Sequence, residues 1–248
     1  MDYRSRLYEH YIDTHFGSIR SITLEALEES RVFYRAYFGR SLPTNPEAKI
    51  LDVGCGYGAF LYFLEKEGYR NMQGVDISAE QVDAATNLGI ANVYCEDLLR
   101  FVQKYSNEFN CITALDVIEH FPKAEILKVL DAVHGALVPG GTFILQTPNG
   151  QSLFPGAIRY ADFTHEIMFT KEGISQVLRA ARFTNITVHP AGPVAHGFLS
   201  AGRWLLWQMI RLLLQVYQAV ETGAFRGHIF TRNLIAVSVK PDGEKAVG

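Results

Sequence analysis

Cysteine is scarce in this sequence: three in 248 residues, standing singly at 55, 95 and 111 with no C-x-x-C spacing. That argues against a metal cluster and against a disulfide framework. Surplus positive charge is missing too, since 23 Lys and Arg against 26 Asp and Glu leave a net charge of -3. A long phosphate backbone is therefore not an expected partner, and nucleic acid drops out of the reading. No Gly/Ser or Pro-rich linker divides the chain, no repeat recurs at periods of roughly 20 to 50 residues, and no tract is of low complexity. The charged start Met1-Asp2-Tyr3-Arg4-Ser5-Arg6 is followed by no apolar stretch of the kind a secretory signal needs, which makes the cytoplasm the expected location.

What is present is 48% apolar and 20% charged residues, the make-up of a globular protein able to bury a large core as one domain over 1–248. Its organising stretch is Lys49-Ile50-Leu51-Asp52-Val53-Gly54-Cys55-Gly56-Tyr57-Gly58-Ala59-Phe60-Leu61, an apolar run broken by three glycines and resumed at helical spacing. The pattern predicts strand, tight turn and helix. Glycines 54, 56 and 58 let the backbone bend where a Cβ would forbid it, and let a ligand lie against bare peptide at a helix start. The dinucleotide fingerprint G-x-G-x-x-G is not met, because the third glycine comes one residue early and Asp52 precedes the first. A different adenosine ligand is expected. A second strand, Met72 to Asp76, ends in an acid placed to hold ribose hydroxyls, and Ser78 stands where a helix N-cap belongs.

LDVGCGYG at 51–58 with the acid Asp76 closing the second strand resembles the class I S-adenosylmethionine-dependent methyltransferases over roughly residues 45 to 190. The resemblance implies an α/β fold, a Rossmann-like doubly wound seven-stranded and mostly parallel sheet in the order 3-2-1-4-5-7-6. It also implies S-adenosyl-L-methionine as cofactor, held by Asp52, Gly54, Gly56, Gly58, Asp76, Ile77, Asp97, Leu98 and Leu115, with Asp97 taking the adenine amino group. Asp97 is equally placed to cap a helix. Residues 1–45 read as two helices of an N-terminal lid, 46–190 as the cofactor-binding core, 191–228 as a helical insertion and 229–240 as the final strand. In many relatives such a lid folds over the cofactor, which makes Tyr11 and His15, one helical turn apart, candidate substrate contacts. The other reading is that they merely pack.

Ligands of open α/β sheets sit outside the carboxyl ends of the strands, and the fourth strand, 109–115, runs straight into Asp116-Val117-Ile118-Glu119-His120. This D-x-x-E-H resembles the segment of the ubiquinone-type O-methyltransferases and of sugar-modifying relatives, where an acid and a histidine lie near the methyl group. Asp116, Glu119 and His120 are candidates to hold a Mg²⁺ ion, or else to cap and tie the loop. The [DNS]-P-P-[YFW] box of amino-methyltransferases is not matched by Leu115-Asp116-Val117-Ile118. After a fifth strand at 142–146, the span 147–166 is too long for a plain connection. It carries Arg159 and Tyr160 as candidate substrate contacts, and Asp162-Phe163-Thr164-His165 resembles a stretch of bacterial surface-glycan and deoxysugar methyltransferases. His165 is the expected base, with Asp162 orienting its ring and His120 a second catalytic candidate.

Between 204 and 220 only Gln208, Arg211, Gln215 and Gln218 are polar, so the predicted helix has one narrow polar stripe. At 17 residues with Arg211 inside it, it falls short of the ~20 apolar residues of a spanning helix. A homodimer seam, packing within the chain, or a membrane-surface contact through 198–221 stay open. The function expected first is O-methylation of a sugar or surface-glycan precursor. A quinone-like or other aromatic acceptor is the alternative, and a cofactor-binding regulatory or scaffold protein is the rival from another class.

Overall fold

The computed structural model describes residues 3–9 and 22–243. Two helices, α1 (Tyr3–Glu9) and α2 (Leu24–Phe38), precede the alternating units β1 (Lys49–Val53), α3 (Ala59–Lys66), β2 (Asn71–Asp76), α4 (Ala79–Asn87), β3 (Val93–Cys95), α5 (Leu98–Val102) and β4 (Phe109–Leu115). A 3₁₀ turn at Ile118–His120 leads to α6 (Lys123–Ala136), β5 (Leu137–Pro148), α7 (Pro155–Arg159), α8 (Lys171–Ala180), β6 (Thr184–Ala191), α9 (Phe198–Thr222) and β7 (Asn233–Val239). Seven strands form one sheet in the order β3-β2-β1-β4-β5-β7-β6, the expected order. The pairs from β3 to β5 are parallel, and β7 runs antiparallel between β5 and β6.

Two-residue alternation explains how one sheet carries two cores. Leu51, Ile112 and Leu145 pack with α5, α6 and α8 on one face, while Ile50, Cys111 and Ile144 pack with α2, α3 and α4 on the other. All six are fully buried. Each end of β1 through β5 that points toward the glycine turn is thereby a rigid ledge for a site. All three cysteines are free, with Cys55 and Cys111 buried and Cys95 exposed.

Several boundaries differ from the sequence reading, each for a local reason. β3 begins only at Val93, since Asn92 takes φ +59. β5 starts at Leu137 and not at Thr142: Phe109 pairs with Leu137, and the ladder shifts register on passing Gly140, which has φ +74. The closing strand begins at Asn233 and not at Ile229, because the carbonyls of Ile229 and Thr231 are taken by the Asn149 side chain at 2.7 and 2.9 Å. α9 starts at Phe198, six residues earlier than Trp204, and ends at a left-handed Gly223. No helix of the described residues is long and apolar enough to cross a membrane.

Candidate active site

The glycine turn wraps over the end of β2. Gly54 and Cys55 both donate their amides to the Val75 carbonyl, at 2.8 and 3.1 Å. Gly54 sits at φ +65, and a Cβ there would come within 2.4 Å of Val117 Cγ2, so only glycine fits this corner. The Asp76 carboxylate accepts the Gly56 amide at 2.8 Å and the Ser78 amide at 2.9 Å. One acid thus pins both the turn and the start of α4, while its two oxygens together keep acceptor capacity for a ligand hydroxyl. Burial raises its pKa despite these bonds.

Beside the turn lies a slot walled by Ile77, Leu98, Val117 and Phe121, with Asp76, Asp97, Gln81 and Tyr8 of α1 around it. Asp97 caps α5, its Oδ1 accepting the Arg100 amide at 3.0 Å, and it also lines the slot, so the capping and ligand-facing roles coexist. Apolar walls bounded by two acids suit a flat purine with its amine and a ribose with its hydroxyls. The residues present therefore fit the adenosine end of S-adenosylmethionine.

A second cavity of about 420 Å³ continues past Gly54 and shares Asp116 and His120 with the slot. Its walls include Asp52, Tyr34, Tyr57, Phe60, Leu115, Glu119, Gln146, Pro148, Ile158, Asp162, His165, Arg232 and Asn233. Asp52 is buried and accepts the Thr113 hydroxyl at 2.6 Å, yet burial lifts its pKa to about 7. Asp116 has φ +55, takes the Gln146 amide at 2.8 Å, and is raised by burial to about 6. Burial pushes Glu119 well above the ordinary carboxylate range, and Asp116 adds to the shift. Glu119 Oε2 accepts the Thr147 hydroxyl at 3.0 Å, whereas its Oε1 is buried with no partner.

The long span after β5 reaches this cavity because the Glu119 carbonyl accepts the Glu166 amide at 2.8 Å and that of Ile167 at 3.2 Å. These bonds place the His120 and His165 rings 4.8 Å apart. His165 Nδ1 lies 3.2 Å from the Ile158 carbonyl, so Nδ1 carries the hydrogen and Nε2 is the basic nitrogen. The Thr164 hydroxyl donates to Asp162 Oδ1 at 2.6 Å and stands 2.8 Å from His120 Nδ1. Having given up its hydrogen, it accepts from His120, which leaves that ring basic at Nε2 as well. The chain Asp162–Thr164–His120 corrects the expectation that Asp162 serves His165.

Two further expectations change. Among the described residues, the potential metal ligands that converge are Glu119, His120 and His165, with ligand atoms all within 4.8 Å of one another. Asp116 is instead engaged by Gln146 and, at 3.3 Å, by Asn233. Arg159 donates to the Glu166 carbonyl at 2.7 Å and holds the loop from outside, and Tyr160 is 83% exposed. Neither lines the cavity, whose wall in that stretch is Ile158 and Ala161. Tyr11 and His15 lie outside the described residues.

Sequence reasoning passed over Tyr8, Tyr34, Gln146, Thr164, Arg232 and Asn233. Gln146 was accessible to the strand-end rule that singled out Asp116. Arg232 and Asn233 were also within reach, since an antiparallel seventh strand begins where its parallel neighbours end.

With this geometry in view, comparison with known proteins gives a consistent result. The family model described as "Methyltransferase domain" matches residues 27–188. The ubiquinone biosynthesis O-methyltransferase of Coxiella burnetii (strain Dugway 5J108-111) is 30% identical over 163 residues, 57% of this chain and 68% of the relative. A SAM-dependent methyltransferase from Archaeoglobus fulgidus superposes with a TM-score of 0.66 at 18% identity, covering 96% of this chain and 100% of the other. The phosphoethanolamine N-methyltransferase 2 of Haemonchus contortus, solved with S-adenosyl-L-methionine, gives 0.58 at 17% identity over 94% of this chain and 60% of that one.

Proposed function

The chain belongs to the methyltransferase domain family and uses S-adenosylmethionine, and from that premise we propose that it methylates a hydroxyl of a phenolic, quinone-like small molecule. The sugar precursor expected first gives way to this alternative on two grounds. The relative of highest identity given above is named for O-methylation in ubiquinone biosynthesis. Beside its acids and histidines, the acceptor cavity offers the ring and apolar surfaces of Tyr34, Tyr57, Phe60, Pro148 and Ile158, against which a flat ring can pack.

The observation that carries the reading is the pair of histidines, both with Nε2 as the basic nitrogen, on the wall of a cavity whose floor is the glycine turn. When bound, S-adenosylmethionine supplies a methyl group already activated on a sulfonium. What this chain adds is alignment and removal of one proton. His165 Nε2 takes the proton of the acceptor hydroxyl, and Nδ1 stays bonded to the Ile158 carbonyl throughout. His120, oriented through Thr164 and Asp162, directs that hydroxyl from the other side. Asp52, Asp76 and Asp97 hold the cofactor, and α1 brings Tyr8 to within 6.4 Å, ring centre to ring centre, of His120.

A second reading has its own observation. Glu119 offers an oxygen with no partner next to two imidazoles, and one carboxylate with two nitrogens suits a borderline divalent ion such as Zn²⁺ better than Mg²⁺. In that case the two histidines are ligands and His165 is not the base.

The test is a mass-spectrometric screen for gain of one methylene on phenols, catechols, nucleotide sugars and glycan precursors, run with and without a chelator. His165→Ala should lower turnover on the phenol by roughly 10²-fold with cofactor affinity nearly intact. Methylation confined to the sugars would overturn the acceptor assignment. Activity abolished by chelation and restored by an added ion would replace the base role with the metal site.

A further inference from the structure

α9 is turned inside out. Its polar residues Gln208, Arg211 and Gln215 line a cavity against the body of the protein, together with Tyr37, Gly192 and Phe230. The opposite side faces solvent: Phe198 is 95% exposed, Leu206 62%, Leu213 70% and Val220 84%. At about 100° per residue, the solvent-facing apolar arc runs from Leu205 and Leu212 on one flank to Leu199, Ile210 and Tyr217 on the other, roughly 160° with no charged side chain inside it. No residue of the helix is fully buried, and its inner side is only half-buried; an apolar surface of this breadth on a folded chain marks an interaction face.

The width of the arc discriminates between occupants. Leu199, Leu206, Leu213 and Val220 recur every seven residues, as a seam with a second copy would require, but such a seam covers a narrow stripe and carries charges on its flanks. Here Arg203 and Glu221 stand beyond only one flank, next to Ile210, and the other flank, at Leu205 and Leu212, carries no charge, so a paired helix would leave Leu205 and Leu212 in water. A planar apolar phase covers the whole arc. On the inner side of α9, outside this arc, Trp207 lines a cavity of about 430 Å³ with Leu153, Phe154, Ala157 and Ile158, and Ile158 and Arg232 belong to both this cavity and the acceptor cavity. Phe154 and Phe163, on the span that carries His165, are also exposed.

We propose that α9, together with the exposed aromatic span around Phe154 and Phe163, docks onto the surface of a lipid bilayer and places the mouth of the acceptor cavity there. At about 1.5 Å per residue the 25 residues of α9 extend for roughly 37 Å, and the helix lies along the membrane plane. Between Phe198 and Val220 the only charges are Arg203 and Arg211, so attachment is apolar and depends weakly on salt. The location of the mouth rests on the acceptor reading, whereas attachment itself does not.

Flotation with vesicles of phosphatidylcholine, alone or mixed with phosphatidylglycerol, tests attachment without reference to methyl transfer. The wild-type chain should float with both compositions, in low and in high salt alike. The pair Leu206→Glu and Leu213→Glu should cut partitioning at least tenfold while cofactor affinity and circular dichroism stay unchanged. Should that pair misfold, Leu199→Glu together with Val220→Glu reads the same face. A wild-type chain that stays with neither vesicle overturns the proposal, and if light scattering then shows a dimer that the glutamates split, the face belongs to a second copy. A chain that floats but leaves phenols unmethylated keeps the docking and removes the acceptor reading.

Discussion

Asp52→Asn should abolish a pH dependence of cofactor binding that the wild-type chain displays. Asp52 is buried in the wall of the acceptor cavity, and burial, with Asp76 nearby, lifts its pKa to about 7 against the Thr113 hydrogen bond. The methionine end of the cofactor carries an ammonium and a sulfonium, and a cation beside the carboxylate favours its ionised form. Below pH 7 the cofactor-free protein therefore holds a proton that binding must expel. From pH 6 to pH 7 the ionised fraction of a group at about 7 rises from roughly one-eleventh to one-half, so the dissociation constant should fall roughly fivefold. The cofactor's own amine titrates above this window. Isothermal titration in two buffers of different ionisation enthalpy reads both the affinity and the released proton. Stability without cofactor moves the other way: with the folded pKa raised, the contribution of Asp52 is fully present below the ordinary carboxylate range and is lost as pH rises through about 7. Asp52→Asn should flatten both profiles, and an unchanged slope of affinity in that variant would refute the assignment.

Two other substitutions probe the turn. Asp76→Ala removes the acceptor of the Gly56 and Ser78 amides, and should weaken cofactor binding by roughly 1–3 kcal/mol in equilibrium dialysis. Unchanged affinity would take Asp76 out of the site. Gly54→Ala forces a side chain to φ +65 and into Val117, so it should lower stability by about 1 kcal/mol or more and impair cofactor binding. A thermal melt indistinguishable from wild type would mean that the corner yields freely.

The cofactor half of the molecule was legible because its signals are local. Asp52, the glycines at 54, 56 and 58, and Asp76 lie on one strand-turn-helix-strand unit, where spacing in the chain is spacing in space. The acceptor half was legible residue by residue but not as an arrangement. His120 and His165 were both singled out, yet the contact between them depends on two amides of the later loop reaching the carbonyl of Glu119, and backbone bonds of that kind leave no trace in residue type. The same limit explains Asp162, whose partner is decided by where the Thr164 hydroxyl points. Arg159 drew attention by its charge, although its guanidinium serves a carbonyl outside the cavity.

α9 shows most clearly where periodicity stops being informative. Gln208, Arg211, Gln215 and Gln218 at spacings of three and four define a stripe, and ordinary expectation turns such a stripe to water and the leucines inward. The core was already complete without this helix: β5, β6 and β7 find their apolar partners in α2, α3, α6 and α8. Entering from β6 and leaving toward β7, the insertion meets a rim that includes the Gly192 carbonyl, which accepts from Tyr37 at 2.5 Å, and Gln208, Arg211 and Gln215 line a cavity against it. The orientation of an amphipathic helix is set by the surface it meets, and here the polar stripe lines a cavity on the inside while the apolar arc faces out.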